Sequence, residues 1–155
     1  HAAVFFVRPF NHAGPRQSAN YVTSSFARQI AEIEAGRREP VLRVGNLDSR
    51  RDITDVRDTV RAYRLVVRHG KPGRPYNVCS GQAYSIRDLL EALMRVSQTS
   101  IRVEVDSDRL RPSDNPVIAG NRARISTETG WEPRIPIDRT LEDLLDYWRL
   151  RTAGQ

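Results

Sequence analysis

Arginine is the residue type in this sequence best suited to binding an anion. The chain of 155 residues carries 25 Lys plus Arg against 19 Asp plus Glu, a net charge of +6. A guanidinium binds phosphate or carboxylate through two parallel hydrogen bonds, so the expected partner is a nucleotide, a nucleic acid or an acidic surface. Arg51 lies just before a predicted helix, and Arg111 precedes Pro112, which favours an extended backbone. Either guanidinium could bind phosphate, but the residues alone favour a surface arginine paired with Asp52 or Asp55 for Arg51, and Arg111 can equally belong to an ordinary polar loop with Arg109 and Asp114.

Several kinds of active site are excluded by what the sequence lacks. No Gly-x-Gly-x-x-Gly or Gly-x-x-Gly-x-x-Gly turn follows a predicted strand, and no Gly-Lys-Ser/Thr loop occurs. The sole lysine, Lys71, has no tyrosine four residues before it. His1, His12, His69 and the lone Cys79 lack metal-ligand spacing, and the apolar run around Cys79 is typical of a buried structural thiol. The sequence therefore predicts no metal site and no catalytic pair.

Strands alternate with helices, which predicts an α/β fold. Residues 3–7 and 76–79 are apolar on both faces, as in buried strands of a parallel sheet. A buried strand needs neighbours on both sides, so the early position of residues 3–7 predicts that an upstream part is absent. Two more strands are predicted over 41–44 and 101–105, and a loop over 11–17. Five helices are predicted: over 19–35, from Thr54 to about 69, over 86–96, around 122–129, and from about 140. The helix over 86–96 is expected to begin with a Ser85/Asp88 capping box.

Apolar residues at helical spacing predict the buried faces of these helices. The predicted faces are Val22, Phe26, Ile30 and Ile33 in the first helix, Val56, Val60, Tyr63 and Val67 in the second, and Leu141, Leu144, Leu145 and Trp148 in the last, with Trp131 and Trp148 as packing residues. Hydrophobic residues make up 39% and charged residues 28%, which predicts one soluble domain with no membrane segment and a cytoplasmic location.

Four segments in order carry a resemblance to a known family. They are 8–15 (Arg-Pro-Phe-Asn-His-Ala-Gly-Pro), 44–52 (Val-Gly-Asn-Leu-Asp-Ser-Arg-Arg-Asp), 76–81 (Tyr-Asn-Val-Cys-Ser-Gly), and 111–114 (Arg-Pro-Ser-Asp) with 129–133 (Thr-Gly-Trp-Glu-Pro). Their order and spacing resemble the extended short-chain dehydrogenase/reductases that act on GDP-sugars, above all the GDP-4-keto-6-deoxy-D-mannose reductases and the GDP-mannose 4,6-dehydratases. The likeness covers nearly all of this chain but about half of a family member.

The resemblance implies a fold and a domain assignment. Residues 3–7 and 76–79 would be the last strands of a Rossmann-type parallel sheet, and the remainder would form the smaller substrate-binding domain. Residues 1–155 would then be the carboxyl-terminal portion of an NAD(P)-binding enzyme, without its cofactor-binding half. The glycine-rich turn and the catalytic Ser/Thr and Tyr-x-x-x-Lys residues would lie upstream. This chain alone is therefore expected to be inactive and to hold no cofactor tightly, whereas the intact protein would use NADP or NAD as a homodimer or homotetramer.

The resemblance also implies roles for individual residues. Arg51 and Arg111 would clamp the nucleotide diphosphate, and Asp114 would accept hydrogen bonds from the ribose hydroxyls. Asn11 follows a strand end, where open α/β sheets place ligands, and could bind a diphosphate oxygen or the sugar. The other implied contacts are Pro112 and Ser113 in the arginine loop, Gly45 and Asn46 against the guanine, Val22 and Phe26 as base-pocket walls, and Phe10 and His12 on the cofactor side. For Val22 and Phe26 the alternative is plain core, and for His12 an ordinary loop histidine.

The implied function is that of a GDP-sugar-binding portion of an NADP-dependent reductase, which converts GDP-4-keto-6-deoxy-D-mannose to GDP-D-rhamnose. The alternatives are GDP-mannose 4,6-dehydratase, a lyase, or another nucleotide-sugar dehydratase or epimerase. The sequences of residues 52–58 and 77–81 favour the reductase. A basic nucleic-acid-binding module is the non-enzymatic alternative, because the pI is about 10.2. However, the arginines form no single stripe and no nucleic-acid motif occurs, so no nucleic-acid partner is expected.

Overall fold

The computed structural model describes residues 2–110 and 115–154, and it confirms the α/β class. The strands are β1 Phe6–Pro9, β2 Asn11–Ala13, β3 Val41–Val44, β4 Arg50–Asp55, β5 Pro75–Val78, β6 Ala83–Ser85, β7 Arg102–Val105 and β8 Val117–Ile118. The helices are α1 Val22–Glu34, α2 Val56–His69, α3 Ile86–Val96, α4 Ala123–Thr129 and α5 Ile137–Ala153, and a 3-10 turn spans Ser107–Arg109.

The strands form small sheets in which parallel pairing dominates. β1 pairs with β5 and β3 with β7, both in parallel. β4 lies between β2, which is parallel to it, and β6, which is antiparallel, and it also pairs with β8. β4 thus joins segments from the start, middle and end of the chain. The sequence analysis did not predict β2, β4, β6 or β8, because these short segments lack a run of apolar residues.

Two hydrophobic cores lie on either side of β4. The first core packs α1, α3 and α5 around β3, and its most buried members are Ala27, Ile30, Leu42, Val44, Leu93, Leu144 and Leu145. The second core packs α2 and α4 on the β1–β5 sheet, and its members are Ala62, Val66, Tyr76, Val78, Ile125 and Trp131. The capping box of α3 forms as predicted, since Ser85 and Asp88 exchange side-chain and backbone hydrogen bonds.

The predicted bounds of the first strand are wrong, because the strand spans Phe6–Pro9 and not residues 3–7. The strand begins only at Phe6, and the side chains of Val4 and Phe6 are 55% and 52% exposed. Phe5 and Val7 pack against the second core on the opposite face. Among the described strands β1 pairs only with β5, so its other edge has no strand neighbour there, and the exposed Val4 and Phe6 leave one face of this sheet uncovered.

The predicted cap and apolar face of α2 are also wrong. Asp55, not Thr54, caps the helix by accepting a hydrogen bond from the backbone of Arg57. The predicted stripe points outward, with Val60 and Val67 60% and 64% exposed and Tyr63 39% exposed. The face that is buried instead carries Asp58, Thr59, Ala62 and Val66.

Hydrogen bonds of Asp58 account for this orientation of α2. Its carboxylate accepts from the backbone N–H of Arg134 at 2.7 Å and of Ile135 at 2.9 Å, and its carbonyl accepts from the indole of Trp131 at 3.0 Å. A buried carboxylate must be satisfied in this way, so the polar side of the helix faces the segment after α4. Trp131 is fully buried in the second core, which confirms its predicted packing role.

Other predicted features need smaller corrections. β2 lies inside the segment predicted as a loop over 11–17, α1 begins at Val22 instead of 19, and the last helix begins at Ile137 instead of about 140. Val103 and Val105 of β7 are exposed, so the alternation of apolar and polar residues in this strand does not mark a buried face.

Cys79 is buried, and burial, reinforced by the carboxylate of Asp52, raises the pKa of its thiol to about 11. The thiol therefore stays protonated at neutral pH, as expected for a structural cysteine.

Asp55 ties α2 to α5. Its buried carboxylate accepts from the backbone N and the Nε and Nη2 atoms of Arg57 at 2.7, 2.8 and 2.7 Å, and from the hydroxyl of Thr140 at 2.8 Å. Arg57 also donates to Asp143 on α5 at 2.7 Å. Burial alone would raise the pKa of Asp55, but these hydrogen bonds outweigh it and hold the pKa below its ordinary value of 3.8.

Replacement Asp55→Asn is expected to lower the free energy of unfolding at pH 7 by about 1–3 kcal/mol. The reason is that an NH2 group replaces one carboxylate oxygen, and this donor then faces the donors of Arg57 or Thr140. Because the pKa of Asp55 is lower in the folded chain than in the unfolded chain, its contribution is complete above 3.8 and is lost as the pH falls through the folded value. Urea unfolding of both proteins from pH 7 to pH 2 measures this, and their difference should shrink with acid. Asp138→Asn, at a 68% exposed site on α5, is the matched control. A difference that stays constant with pH would contradict the assignment.

Candidate functional site

A cavity of about 580 Å³ lies where β1 ends and the chain turns into α1; it is called the loop cavity here. Phe10, Asn11 and His12 form one wall, Tyr21, Val22 and Thr23 form another, and Ile53 and Val56 approach from β4 and α2. The segment from His12 to Gln17 closes the rim. This arrangement follows from the β1–β2 and β4–α2 junctions, which bring strand ends together beside the start of α1.

A second cavity, of about 760 Å³, lies between α1, the end of β3 and the start of β4; it is called the groove cavity here. Its apolar lining includes Val22, Phe26, Ile53 and Ile86. Its polar lining consists of Asn11, Asn20, Ser25, Arg28, Gln29, Glu32, Arg38, Arg43, Asn46, Ser49, Arg51, Asp108 and Arg109. The groove cavity therefore combines an apolar wall with several guanidiniums, as a site for a flat ring joined to an anion would.

The two cavities meet at Asn11, Val22 and Ile53, which line both. Asn11 belongs to β2, and its strand partner in the parallel pair is Ile53 of β4. The two cavities are therefore adjacent, and the Asn11 side chain lies at their common boundary.

Strand alternation in β4 determines which side chains face the cavities. Side chains at successive positions point to opposite faces, so Arg51 and Ile53 share the face that lines the groove cavity. One Nη atom of Arg51 donates to the carbonyl oxygen of Arg50 at 2.8 Å and lies 3.4 Å from that of Pro116. These contacts hold the half-buried guanidinium at the groove wall.

Asp52 points the other way and anchors the strand. One of its carboxylate oxygens accepts from the backbone N and the hydroxyl of Ser80, each at 2.7 Å, and the other accepts from the backbone N of Gly81 at 2.9 Å and of Gly120 at 3.1 Å. The side chain is buried. Four hydrogen bonds to one carboxylate thus hold the turn after β5 and the segment after β8 behind Arg51.

The end of β3 is shaped by a glycine. A Cβ atom at Gly45 would collide with the backbone carbonyl of Arg109, which closes the groove from the 3-10 turn. Asn46 uses its side-chain oxygen to accept from the backbone N of Asp48 at 2.9 Å. Asn46 therefore forms a local turn, and the close approach of the Arg109 backbone requires glycine at position 45.

The histidine of the loop cavity is held through its backbone. Gln17 donates from its amide to the carbonyl of His12 at 2.8 Å and accepts from the hydroxyl of Thr23 at 3.1 Å. The Nδ1 atom of His12 lies 3.2 Å from the carbonyl oxygen of Phe10. This fixes the segment from Phe10 to His12 against the start of α1 and leaves the imidazole exposed at the rim of the loop cavity.

The structure brings most of the sequence-predicted site residues together. Those that line the groove cavity are Asn11, Val22, Phe26, Gly45, Asn46 and Arg51, while Phe10 and His12 line the loop cavity. Arg111, Pro112, Ser113 and Asp114 lie outside the described residues, and their assigned roles stay predictions. Contact with a cavity leaves the ligand roles of all these residues untested.

Sequence reasoning missed several lining residues, of which Gln29 had a recognisable signal. It follows Phe26 by three positions, so it lies on the apolar face of α1, where a polar residue needs partners. Its buried amide accepts from the backbone N of Arg43 at 3.1 Å and donates to the carbonyl of the same residue at 3.2 Å. Gln29 thus supplies hydrogen-bond partners to the backbone N–H and carbonyl of Arg43 on β3.

Within residues 2–110 and 115–154, no group of three or more His, Cys, Asp or Glu side chains is placed to hold a metal ion. Among the described helices, none combines the length and the apolar character needed to cross a bilayer.

Comparison with known proteins identifies the family. The family model described as GDP-mannose 4,6 dehydratase matches residues 2–144. The chain is 40% identical over 152 residues to the GDP-6-deoxy-D-mannose reductase of Pseudomonas aeruginosa, which covers 98% of this chain and 50% of that protein. It is 26% identical to the human GDP-mannose 4,6 dehydratase, covering 88% of this chain and 41% of that protein. The chain thus spans about half the length of the curated relatives it matches.

The fold comparison agrees with this result. The structure of RMD from Pseudomonas aeruginosa complexed with NADPH superposes with a TM-score of 0.91 at 40% identity, over 96% of this chain and 49% of that one. The fold is therefore that of the Rossmann-type short-chain dehydrogenases, as the resemblance in the sequence implied.

Replacement Gly45→Ala is expected to lower the free energy of unfolding by about 1–3 kcal/mol, because the new methyl group must push the Arg109 backbone away from the groove. Urea unfolding at pH 7 measures the change. Gly154→Ala is the matched control, since the nearest atom to a Cβ there is 3.6 Å away. If the Gly45→Ala protein has the same free energy of unfolding as the parent, the backbone of the 3-10 turn can move away from position 45 without loss of stability, and the prediction is wrong.

Proposed function

Because the chain belongs to the GDP-mannose 4,6-dehydratase family, we propose that it is the GDP-sugar-binding portion of an NADP-dependent reductase. The observation that carries this proposal is that two adjacent cavities share the lining residue Asn11, with Arg51 on the groove wall. A nucleotide diphosphate placed in the groove reaches the loop cavity with its sugar. Identity supports the reductase over the dehydratase, since the reductase relative is 40% identical and the dehydratase relatives 24–28%.

In this proposal the groove cavity binds the nucleotide. Val22, which is 39% exposed, contacts the base, while Phe26 is 2% exposed and belongs mainly to the core behind this wall. Gly45 lets the backbone approach the base. Arg51 donates to the diphosphate, and the roles that the resemblance implies for Arg111, Pro112, Ser113 and Asp114 are part of the same proposal. A guanidinium suits this task because it stays charged and presents paired donors. Asn11 then orients the bridging oxygen or the sugar at the junction of the cavities.

The loop cavity takes the sugar and one end of the cofactor. Its volume of about 580 Å³ and its lining by Phe10, His12 and Pro15 fit a sugar beside a flat ring, but not a whole dinucleotide. A reduced nicotinamide bound there would supply the hydride for the 4-keto carbon. The residues of this chain position the keto-sugar at the ring and exclude water from it, and the proton donor belongs to the part of the enzyme that carries the Tyr-x-x-x-Lys pair.

The domain assignment is part of the same proposal. Residues 1–155 form the carboxyl-terminal portion of a Rossmann-fold enzyme, and β1 and β5 are sheet strands of the cofactor-binding half. The open edge of β1 and the exposed side chains of Val4 and Phe6 support this, because parallel sheets have both faces covered.

Replacement Arg51→Ala is expected to weaken GDP binding by about 10- to 100-fold, the loss expected for a charge-assisted hydrogen bond. Arg51→Lys should recover part of the affinity, because lysine keeps the charge without the fork. Isothermal titration calorimetry of the intact protein with GDP measures both. Arg139→Ala, which changes a 64% exposed arginine on α5 outside both cavities, is the control. Equal affinity of the Arg51→Ala protein and the parent would remove Arg51 from the site.

The reductase assignment is tested with the intact protein and two substrates. We expect NADPH oxidation with GDP-4-keto-6-deoxy-D-mannose and formation of GDP-D-rhamnose, followed by absorbance at the NADPH band and by chromatography of the nucleotide-sugars. Consumption of GDP-mannose without added keto-sugar would instead establish the dehydratase.

A further inference from the structure

The groove cavity extends beyond the residues assigned to the base and diphosphate. On α1 the lining continues from Phe26 to Arg28, Gln29 and Glu32, and on the opposite side it includes Arg38 and Arg43. The amide of Gln29 is committed to the Arg43 backbone and is not available to a ligand. The side chains left to meet a ligand at this end are thus a carboxylate and its guanidinium neighbours.

Glu32 is the unexpected member of this group, since a carboxylate opposes an anionic ligand. Its Oε1 atom accepts from Nε of Arg28 at 2.6 Å, and its Oε2 atom lies 3.5 Å from Nη1 of Arg38. The side chain is only 22% exposed. A carboxylate has about four lone-pair sites, so each oxygen retains the capacity for another donor. An acid at this place is favourable when the nearby part of the ligand is neutral and rich in donors.

Distance along α1 places Glu32 beyond the base. Phe26 and Glu32 are separated by about 9 Å at a rise of about 1.5 Å per residue. Side chains of a helix lean toward its amino terminus, so the Glu32 carboxylate reaches back toward Phe26. Phe26, Arg28 and Glu32 all line the groove cavity, although Phe26 is only 2% exposed and Arg28 and Glu32 lie about 160° and about 120° around the helix axis from it. A base placed along this wall with one edge near Phe26 can direct its other edge toward Glu32 and Arg28.

Guanine has the matching outer edge. Its N1–H and N2–H groups are adjacent donors, spaced like the two oxygens of a carboxylate, and its O6 acceptor lies beside them. Adenine, cytosine and uracil lack two adjacent donors flanked by an acceptor. We propose that Glu32 selects guanine by accepting from N1–H and N2–H, while a guanidinium of Arg28 or Arg38 donates to O6. This inference rests on the proposed function, which places a GDP group in the groove cavity.

The test compares GDP with IDP, which differs only by lacking the N2 amine. Isothermal titration calorimetry of the intact protein should give GDP about 10-fold or more tighter binding than IDP, as expected for a hydrogen bond to a charged acceptor. In Glu32→Gln the amide donor faces the guanine donors, so the GDP:IDP affinity ratio should fall toward one. Removal of the negative charge can tighten both nucleotides, but it does so equally, so the ratio reports the N2 contact alone.

Glu142→Gln is the matched control, because Glu142 is a partly exposed α5 carboxylate that also pairs with an arginine and lies outside both cavities. Its GDP:IDP ratio should equal that of the parent. If the parent binds GDP and IDP equally, or if Glu32→Gln keeps the parent ratio, the inference is wrong while the proposed function stands. If the parent binds no GDP, the proposed function fails and the inference fails with it.

Discussion

The structure depends on a row of three buried carboxylates. Asp52, Asp55 and Asp58 recur at intervals of three residues across the junction of β4 and α2, and each is at most 2% exposed. A carboxylate in such surroundings is stable only when its oxygens are fully hydrogen-bonded. Each aspartate meets this demand by binding a different distant segment. The β4–α2 junction is thus the place where the two cores are held in one arrangement.

These carboxylates bind four segments that lie outside the lining of both cavities. Asp52 holds the turn after β5 and the segment after β8, Asp55 holds α5 through Thr140, and Asp58 holds the backbone after Trp131. Because side chains alternate along β4, Asp52 anchors the strand from one face and leaves its neighbours Arg51 and Ile53 on the face that lines the groove cavity. Arg51 and Ile53 are thus positioned by an acid that lines neither cavity.

How far the sequence predicts the structure differs from one element to another. α1, α3, β3 and β5 were predictable, because their apolar periodicity, caps and apolar runs agree with most of their final burial. The exception is Val22, which was predicted on the buried face of α1 but is 39% exposed. The outward stripe of α2 was not predictable, because the hydrogen-bonding needs of Asp58 outweigh the burial of Val60 and Val67. The strand β4 was hidden because it is polar and its pairing partners are distant in sequence.

The candidate site shows the same division. The resemblance named Asn11, Gly45 and Arg51 without any geometry, and the fold places all three on one cavity. The amide of Gln29 and the rim position of Glu32 depend on how α1 meets β3, which local sequence does not encode. The arginine pattern indicated an anionic partner, but it could not distinguish guanidiniums at the groove from those in surface ion pairs such as Arg139 with Asp143.

The open edge of β1 has a consequence for how the molecule recognises a neighbour. An unpaired strand edge is a template for unwanted association, and proteins limit this with short strands, charges and proline. β1 has four residues, ends at Pro9, and carries the exposed Arg8. An extended peptide that only forms backbone hydrogen bonds with so short an edge gains little binding free energy. A folded neighbour that also covers the side chain of Phe6 gains apolar contact as well, so this edge favours a folded surface over an extended peptide.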